Sequence, residues 1–176
     1  MKKSTNLLML MIVIGISNMA FNVITTWKVK EDDYSVKISG KKIEGTFTGL
    51  KATLNFDPAH LESSNLTATI DAGSLSTGNF LKTNHALSEE ALDAKKYPVI
   101  KFQSEAISRK GNAYEASGKL TLKGITKEIL IPFTFTGNNA EGAFKGDFKF
   151  NPHDYNINRH GTPEEILVTL NIPVTR

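Results

Sequence analysis

The side chains able to do covalent or metal chemistry are few and scattered along this sequence. Four histidines are present, His60, His85, His153 and His160. No two of them have the His-x-His or His-Glu-x-x-His spacing that brings imidazoles to one metal ion. Cysteine is absent, which removes a disulfide frame, a thiolate metal site, a cysteine nucleophile and a lipidated cysteine. A serine hydrolase elbow needs Gly-x-Ser-x-Gly on a strand-to-helix turn, and Gly73-Ser-Leu-Ser-Thr-Gly78 lacks that spacing. Glu89-Glu90 and Glu164-Glu165 are adjacent in sequence. They fit a helix start and a solvated loop better than the opposed carboxylates of acid–base catalysis. The expectation is a protein with no catalytic residues, no metal site and no cofactor.

What remains is apolar, and its period is two. Trp27 and Val29 alternate with lysines, and Tyr34, Val36 and Ile38 alternate with Ser35, Lys37 and Ser39. Leu50, Ala52, Leu54 and Phe56 share one face, as do Leu66, Ala68 and Ile70. The same alternation returns around Ile100 and Phe102, over 114–122, 129–135 and 144–150, and finally over 166–174. Strict alternation marks half-buried antiparallel strands with one wet face. These runs predict an all-β chain of eight or nine strands. The alternation stops over 79–96, where Ser88 to Lys96 reads as one short helix, with Ser88 as cap, Glu89 and Glu90 at its start and Lys95 and Lys96 at its end. Pro98 ends it.

A sheet of this size with one apolar face closes as a barrel or stacks as a sandwich. Long strands favour the barrel, as do Gly45, Gly49, Gly118 and Gly146 inside strand-like stretches, where glycine permits sharp coiling. Barrels of about eight strands are either filled by their own side chains or hold one small ligand.

The first residues read as a leader. Lys2 and Lys3 precede an unbroken apolar run from Leu7 to Ile16, followed by small and polar residues. Asn18 and Asn22 stop that run short of the roughly 20 apolar residues a membrane span needs. The expectation is a secretory signal peptide over 1–22, cleaved between Ser17 and Thr25, and one domain over 23–176 delivered to the periplasm or the exterior. Setting aside Lys2 and Lys3 lowers the formal charge from +3 to +1. A near-neutral domain lacks the basic excess that nucleic-acid binding needs.

Six stretches, in order and at matching spacing, carry a family resemblance. They are Ile43-Glu-Gly-Thr-Phe-Thr-Gly-Leu50, Leu54-Asn-Phe-Asp-Pro58, Ile70-Asp-Ala-Gly-Ser-Leu-Ser-Thr-Gly78 and Lys82-Thr-Asn-His-Ala-Leu87. Leu92-Asp-Ala-Lys-Lys-Tyr-Pro-Val-Ile-Lys-Phe102 and Gly118-Lys-Leu-Thr-Leu-Lys-Gly-Ile-Thr-Lys-Glu-Ile129 follow. Together they resemble the YceI-like family of lipid- and polyisoprenoid-binding proteins. The resemblance implies a lipocalin-like antiparallel barrel whose apolar lumen holds an isoprenoid chain or related amphiphile. Two departures are local: Tyr34-Ser35 stands where the family often has His-Ser, and Ala91-Leu92 where it often has paired aromatics.

On that basis the strand faces supply candidate lumen residues Phe47, Leu54, Phe56 and Phe102. A stripe of Ile131, Phe133 and Phe135 faces Phe148 and Phe150. The insert supplies candidate mouth residues Phe80, Leu81, Asn84, His85 and Leu92. Burying about ten apolar carbons is worth roughly 8 kcal/mol at ~0.8 kcal/mol per methylene, which is gross micromolar affinity before association costs. The expected partner is a hydrophobic small molecule or lipid, with a possible homodimer formed through an exposed edge strand. The alternative reading is a filled-core barrel that acts as a protein-interaction module, with Leu130, Pro132 and Leu167 as apolar exceptions on otherwise polar outer faces.

Overall fold

A computed structural model describes residues 25–176. The expected leader lies outside the described residues. Ten strands form one antiparallel sheet: β1 (Thr26–Val29), β2 (Ser35–Gly40), β3 (Ile43–Phe47), β4 (Leu50–Asn55), β5 (Asn65–Asp71), β6 (Val99–Lys110), β7 (Ala113–Leu122), β8 (Ile125–Gly137), β9 (Glu141–Phe150) and β10 (Ile166–Thr175). Four of the ten are halves of longer strands. Both β1 and β2 lie antiparallel along β10, through Val29↔Val174 and then Ser35↔Asn171 to Gly40↔Ile166. β4 pairs with β1 and β3 pairs with β2. The first hairpin is therefore one long pair of arms, both broken at the same level. Each remaining strand follows its predecessor as a meander, and the β1–β10 pairing joins the ends. The result is a closed eight-stranded antiparallel barrel, in agreement with the alternation of the sequence.

The break in the first hairpin leaves backbone groups that the ladder cannot satisfy, and nearby side chains take them. The Tyr34 hydroxyl donates to the Thr48 carbonyl and accepts from the Leu50 N–H at 3.1 Å. Ser74 Oγ accepts from the N–H groups of Thr48 and Gly49 at 3.2 and 3.0 Å. Tyr34 thus bridges the two arms where their strands part. A second irregularity is a bulge in β6 between Ser104 and Ala106. It presses the β6 backbone onto Gly118 of β7, where an added Cβ would come within 2.3 Å of the Gln103 carbonyl oxygen.

One seam is only half closed. β8 and β9 pair from Phe133↔Gly146 to Gly137↔Gly142 and then separate. Pro132, the next residue of β8, has no N–H with which to extend the ladder. Tyr155 and Ile157, from the loop before β10, fill the gap and pack with Leu120, Leu122 and Ala91.

The helix does not lie where the sequence pattern places it. It is α1 (Phe80–Leu87), capped by the Asn79 side chain, which accepts from the Lys82 N–H at 3.0 Å. Ser88 ends this helix in extended geometry instead of starting another. Residues 88–97 form successive turns, with Asp93 in the left-handed region at φ 48°. The physical reason is packing. Ala91 is buried and Leu92 packs against both apolar clusters within a few residues of Pro98. The paired glutamates and lysines that resemble helix ends are solvated turn residues.

Candidate functional site

The inward positions of the barrel differ sharply between its two ends. At the end formed by the start of β1, the 56–64 loop and the β6–β7 and β8–β9 turns, they are large and aromatic. Phe56 is fully buried, with ring centroids of Tyr114, Phe133, Phe135 and Phe144 all 5.0 to 5.5 Å away. Trp27 packs at a tilt against Phe135, with ring centroids 5.0 Å apart, and donates its indole N–H to the Phe56 carbonyl at 3.0 Å. Most of these pairs are tilted or edge-to-face, the arrangement favoured by ring quadrupoles. This end is a solid aromatic floor.

Above the floor the inward positions become small or aliphatic. Ala52 faces Ala68 across β4 and β5, and Ala68 faces Phe102 of β6. Those alanines leave room that no neighbour fills. The result is a cavity of about 780 Å³, inside the range of roughly 300–1,000 Å³ that holds small-molecule ligands. Its wall is apolar on every side, from Val36 and Ile38 of β2 to Leu50 and Leu54 of β4, Ile70 of β5 and Leu170 of β10. The barrel is hollow over this half, so a filled core does not describe its packing.

The cavity opens at the other end, among α1, the 88–97 turns, the β2–β3 turn and the 151–165 loop. Lys82, His85 and Ala86 of α1 line it, as do Lys41 and Lys42 of the turn, Glu44 of β3, and Arg159 and His160 of the long loop. Lys123 ties two of these segments together, donating to the carbonyls of Glu89 at 2.8 Å and Asn156 at 3.1 Å. Arg159 meets Glu90 at 3.5 Å. Tyr155, buried in the seam, has its phenol pushed above the usual value by that burial and by Asp154. Among the described residues, no three His, Asp or Glu side chains converge as a metal site would require. His60 instead pairs with Asp57 at 3.0 Å in the 56–64 loop beside the floor, and that hydrogen bond raises its pKa while lowering that of Asp57.

The residues singled out from the sequence separate into three groups. Phe47, Leu54, Phe102, Ile131, Phe133, Phe148 and Phe150 line the cavity wall, and Leu92 and His85 line it near the opening. Phe56 and Phe135 do not line it; they belong to the floor. Phe80 and Leu81 point away from it, with 78% and 65% of their surface exposed, and Asn84 is also exposed on α1. The alternation that identified the inward faces carries no information about depth along the barrel, so floor and wall phenylalanines look alike in sequence. Ala52 and Ala68 lie on the inward faces that the alternation marks but outside the candidate lumen residues, which are mostly large and apolar, whereas a cavity is marked by small side chains.

The sequence matches the YceI-like domain over residues 27–175. The chain belongs to the YceI-like family. Among relatives of this YceI-like chain, the UPF0312 protein of Pseudomonas syringae pv. tomato is 33% identical over 132 residues, covering 71% of this chain and 69% of that protein. The Vibrio cholerae UPF0312 protein is 29% identical over 74% of this chain and 72% of its own. Among solved structures, BcnA of Burkholderia cenocepacia superposes with a TM-score of 0.78 at 26% identity, over 83% of this chain and 99% of BcnA. A polyisoprenoid-binding domain from Saccharophagus degradans shares the fold, with a TM-score of 0.59 at 11% identity over 85% of this chain and 97% of its own.

Floor and wall predict different costs of truncation. Phe56→Ala removes a ring packed on all sides and should cost about 3–5 kcal/mol of folding stability. Phe148→Ala, on the half-buried wall, should cost clearly less, because its ring already borders open volume. Denaturant midpoints of the two variants check this, and equal losses would mean that the upper barrel is packed like the floor.

Proposed function

We propose that this YceI-like barrel is a non-catalytic binding protein that holds the chain of a polyisoprenoid or similar amphiphile in its lumen. The observation that carries this reading is the apolar cavity of about 780 Å³, closed by the aromatic floor and open beside a polar rim. A long hydrocarbon chain gains free energy from burial alone, in proportion to the apolar area it hides. A head group cannot be desolvated against the phenylalanine floor without a compensating hydrogen bond, so the chain enters first and the polar end stays at the rim. The polyisoprenoid-binding neighbour supports this class of cargo. Transport, storage and sequestration are all compatible with one lumen and one mouth.

Export is the second part of the proposal. It rests on Lys2, Lys3 and the apolar run from Leu7 to Ile16, which precede the barrel. The mature protein would then work outside the cytoplasm. N-terminal sequencing of protein from an envelope or medium fraction should find a start between Ser17 and Thr25; an intact Met1 in that fraction would contradict cleavage.

Filling the lumen tests the first part. Ala68→Trp projects a large ring between Ala52 and Phe102 and should weaken binding of long-chain isoprenoids at least tenfold, with the far-ultraviolet circular dichroism of a folded barrel retained. Ala52→Leu fills less volume and should give an intermediate loss. Unchanged affinity in both folded variants would show that the ligand does not occupy the lumen.

A further inference from the structure

Four large apolar side chains stand exposed among the described residues: Phe80, Leu81, Leu130 and Val99. The two most exposed are adjacent, at the first turn of α1. This helix borders the cavity opening through Lys82, His85 and Ala86, and none of its residues is buried. It is held by the Asn79 cap, by Thr83 Oγ1 accepting from the Thr77 N–H at 3.0 Å, and by partial packing of Ala86 and Leu87. A short helix that turns phenylalanine and leucine into water gains nothing for folding from them. Their placement answers to something outside the protein.

The charges that line the opening point to what that is. Lys82 follows Leu81 directly, and Lys41 and Lys42 on the β2–β3 turn line the same opening. Two other cations near the open end are paired, Arg159 with Glu90 at 3.5 Å and Lys149 with Glu165 at 2.8 Å. Lys41, Lys42 and Lys82 form no ion pair with a carboxylate among the described residues; Glu44 of β3 lines the opening with them, and Glu164 and Glu165 of the long loop lie on the outer side of Lys41 and Lys42. Three ammonium groups without ion pairs at the opening, and two exposed apolar side chains on the helix that borders it, match a surface of anionic phosphates over hydrocarbon. Each lysine held near such a surface multiplies the partition coefficient about fivefold, and aromatic and leucine side chains enter the headgroup boundary favourably.

We propose that α1 docks the cavity mouth onto an anionic phospholipid bilayer, with Phe80 and Leu81 entering the headgroup region and Lys41, Lys42 and Lys82 facing its phosphates. This rests on the lumen reading, since a protein that loads a membrane-resident chain must present its opening to the membrane. Docking in this orientation lets the chain pass from bilayer to lumen with little exposure to water. The exposed position of Phe80 and Leu81 means that their substitution leaves the barrel core untouched.

The test is co-sedimentation of residues 23–176 with vesicles of phosphatidylcholine and phosphatidylglycerol, 3:1. Wild type should bind, and Phe80→Ser/Leu81→Ser should bind at least tenfold more weakly. Lys41→Gln/Lys42→Gln/Lys82→Gln should lose the preference for these vesicles over pure phosphatidylcholine. Phe80→Trp should show a blue-shifted emission on vesicle addition. No co-sedimentation, no emission shift, or unchanged binding in either multiple variant overturns the proposal. A parallel titration with a detergent-solubilised isoprenoid keeps the two readings apart. Wild type that takes up the isoprenoid but ignores vesicles defeats docking alone, whereas vesicle binding without isoprenoid uptake defeats the lumen reading.

Discussion

The fit of Phe56 among Tyr114, Phe133, Phe135 and Phe144 is the constraint on which the hollow half of the barrel depends. A closed eight-stranded barrel has just enough interior to be filled by its own side chains, so open volume in one half must be offset by dense packing in the other. Here the aromatic rings concentrate at one end. Trp27 locks β1 onto that floor through its bond to the Phe56 carbonyl. With closure secured there, Ala52 and Ala68 can leave space above without loss of the fold.

The open end is built on a different principle. Its loops are held by polar bonds rather than by a core: Asn79 on α1, Tyr34 and Ser74 at the split hairpin, Lys123 across two loops. Solvated hydrogen bonds contribute little net stability each, and a region with few buried apolar contacts opens at low free-energy cost. A rim of this kind suits a lumen that must admit and release a long chain. The half-closed β8–β9 seam, plugged by Tyr155 and Ile157, is the sturdier exception, because those side chains are buried.

Much of the fold was legible in sequence because an inward face in a barrel repeats every second residue. Val36 and Ile38, Leu66 and Ala68, and Ile166 and Val168 all announced their strands this way. The breaks in the first two strands were written there as well, as a change of phase: the inward face passes from odd positions at Trp27 and Val29 to even ones at Val36 and Ile38, and from Phe47 to Leu50 on the other arm. What the pattern misplaced was the helix. Charge placement at Glu89-Glu90 and Lys95-Lys96 fits a helix of 88–96, but tertiary packing of Ala91 and Leu92 required tight turns, and the Asn79 cap served the segment before it. Within the site, residue type told inward from outward but not floor from wall. That distinction depends on barrel depth, which only the register of neighbouring strands supplies.

The claim at the centre of this account is that the lumen carries an amphiphile, and its most direct test is mass spectrometry. Protein purified natively from its own cells would be extracted with organic solvent, beside a denatured and refolded control. The account predicts one isoprenoid or similar long-chain amphiphile near one per barrel, absent from the control and taken up again on incubation. An empty extract, together with failure to rebind long-chain isoprenoids and fatty amphiphiles, would contradict it.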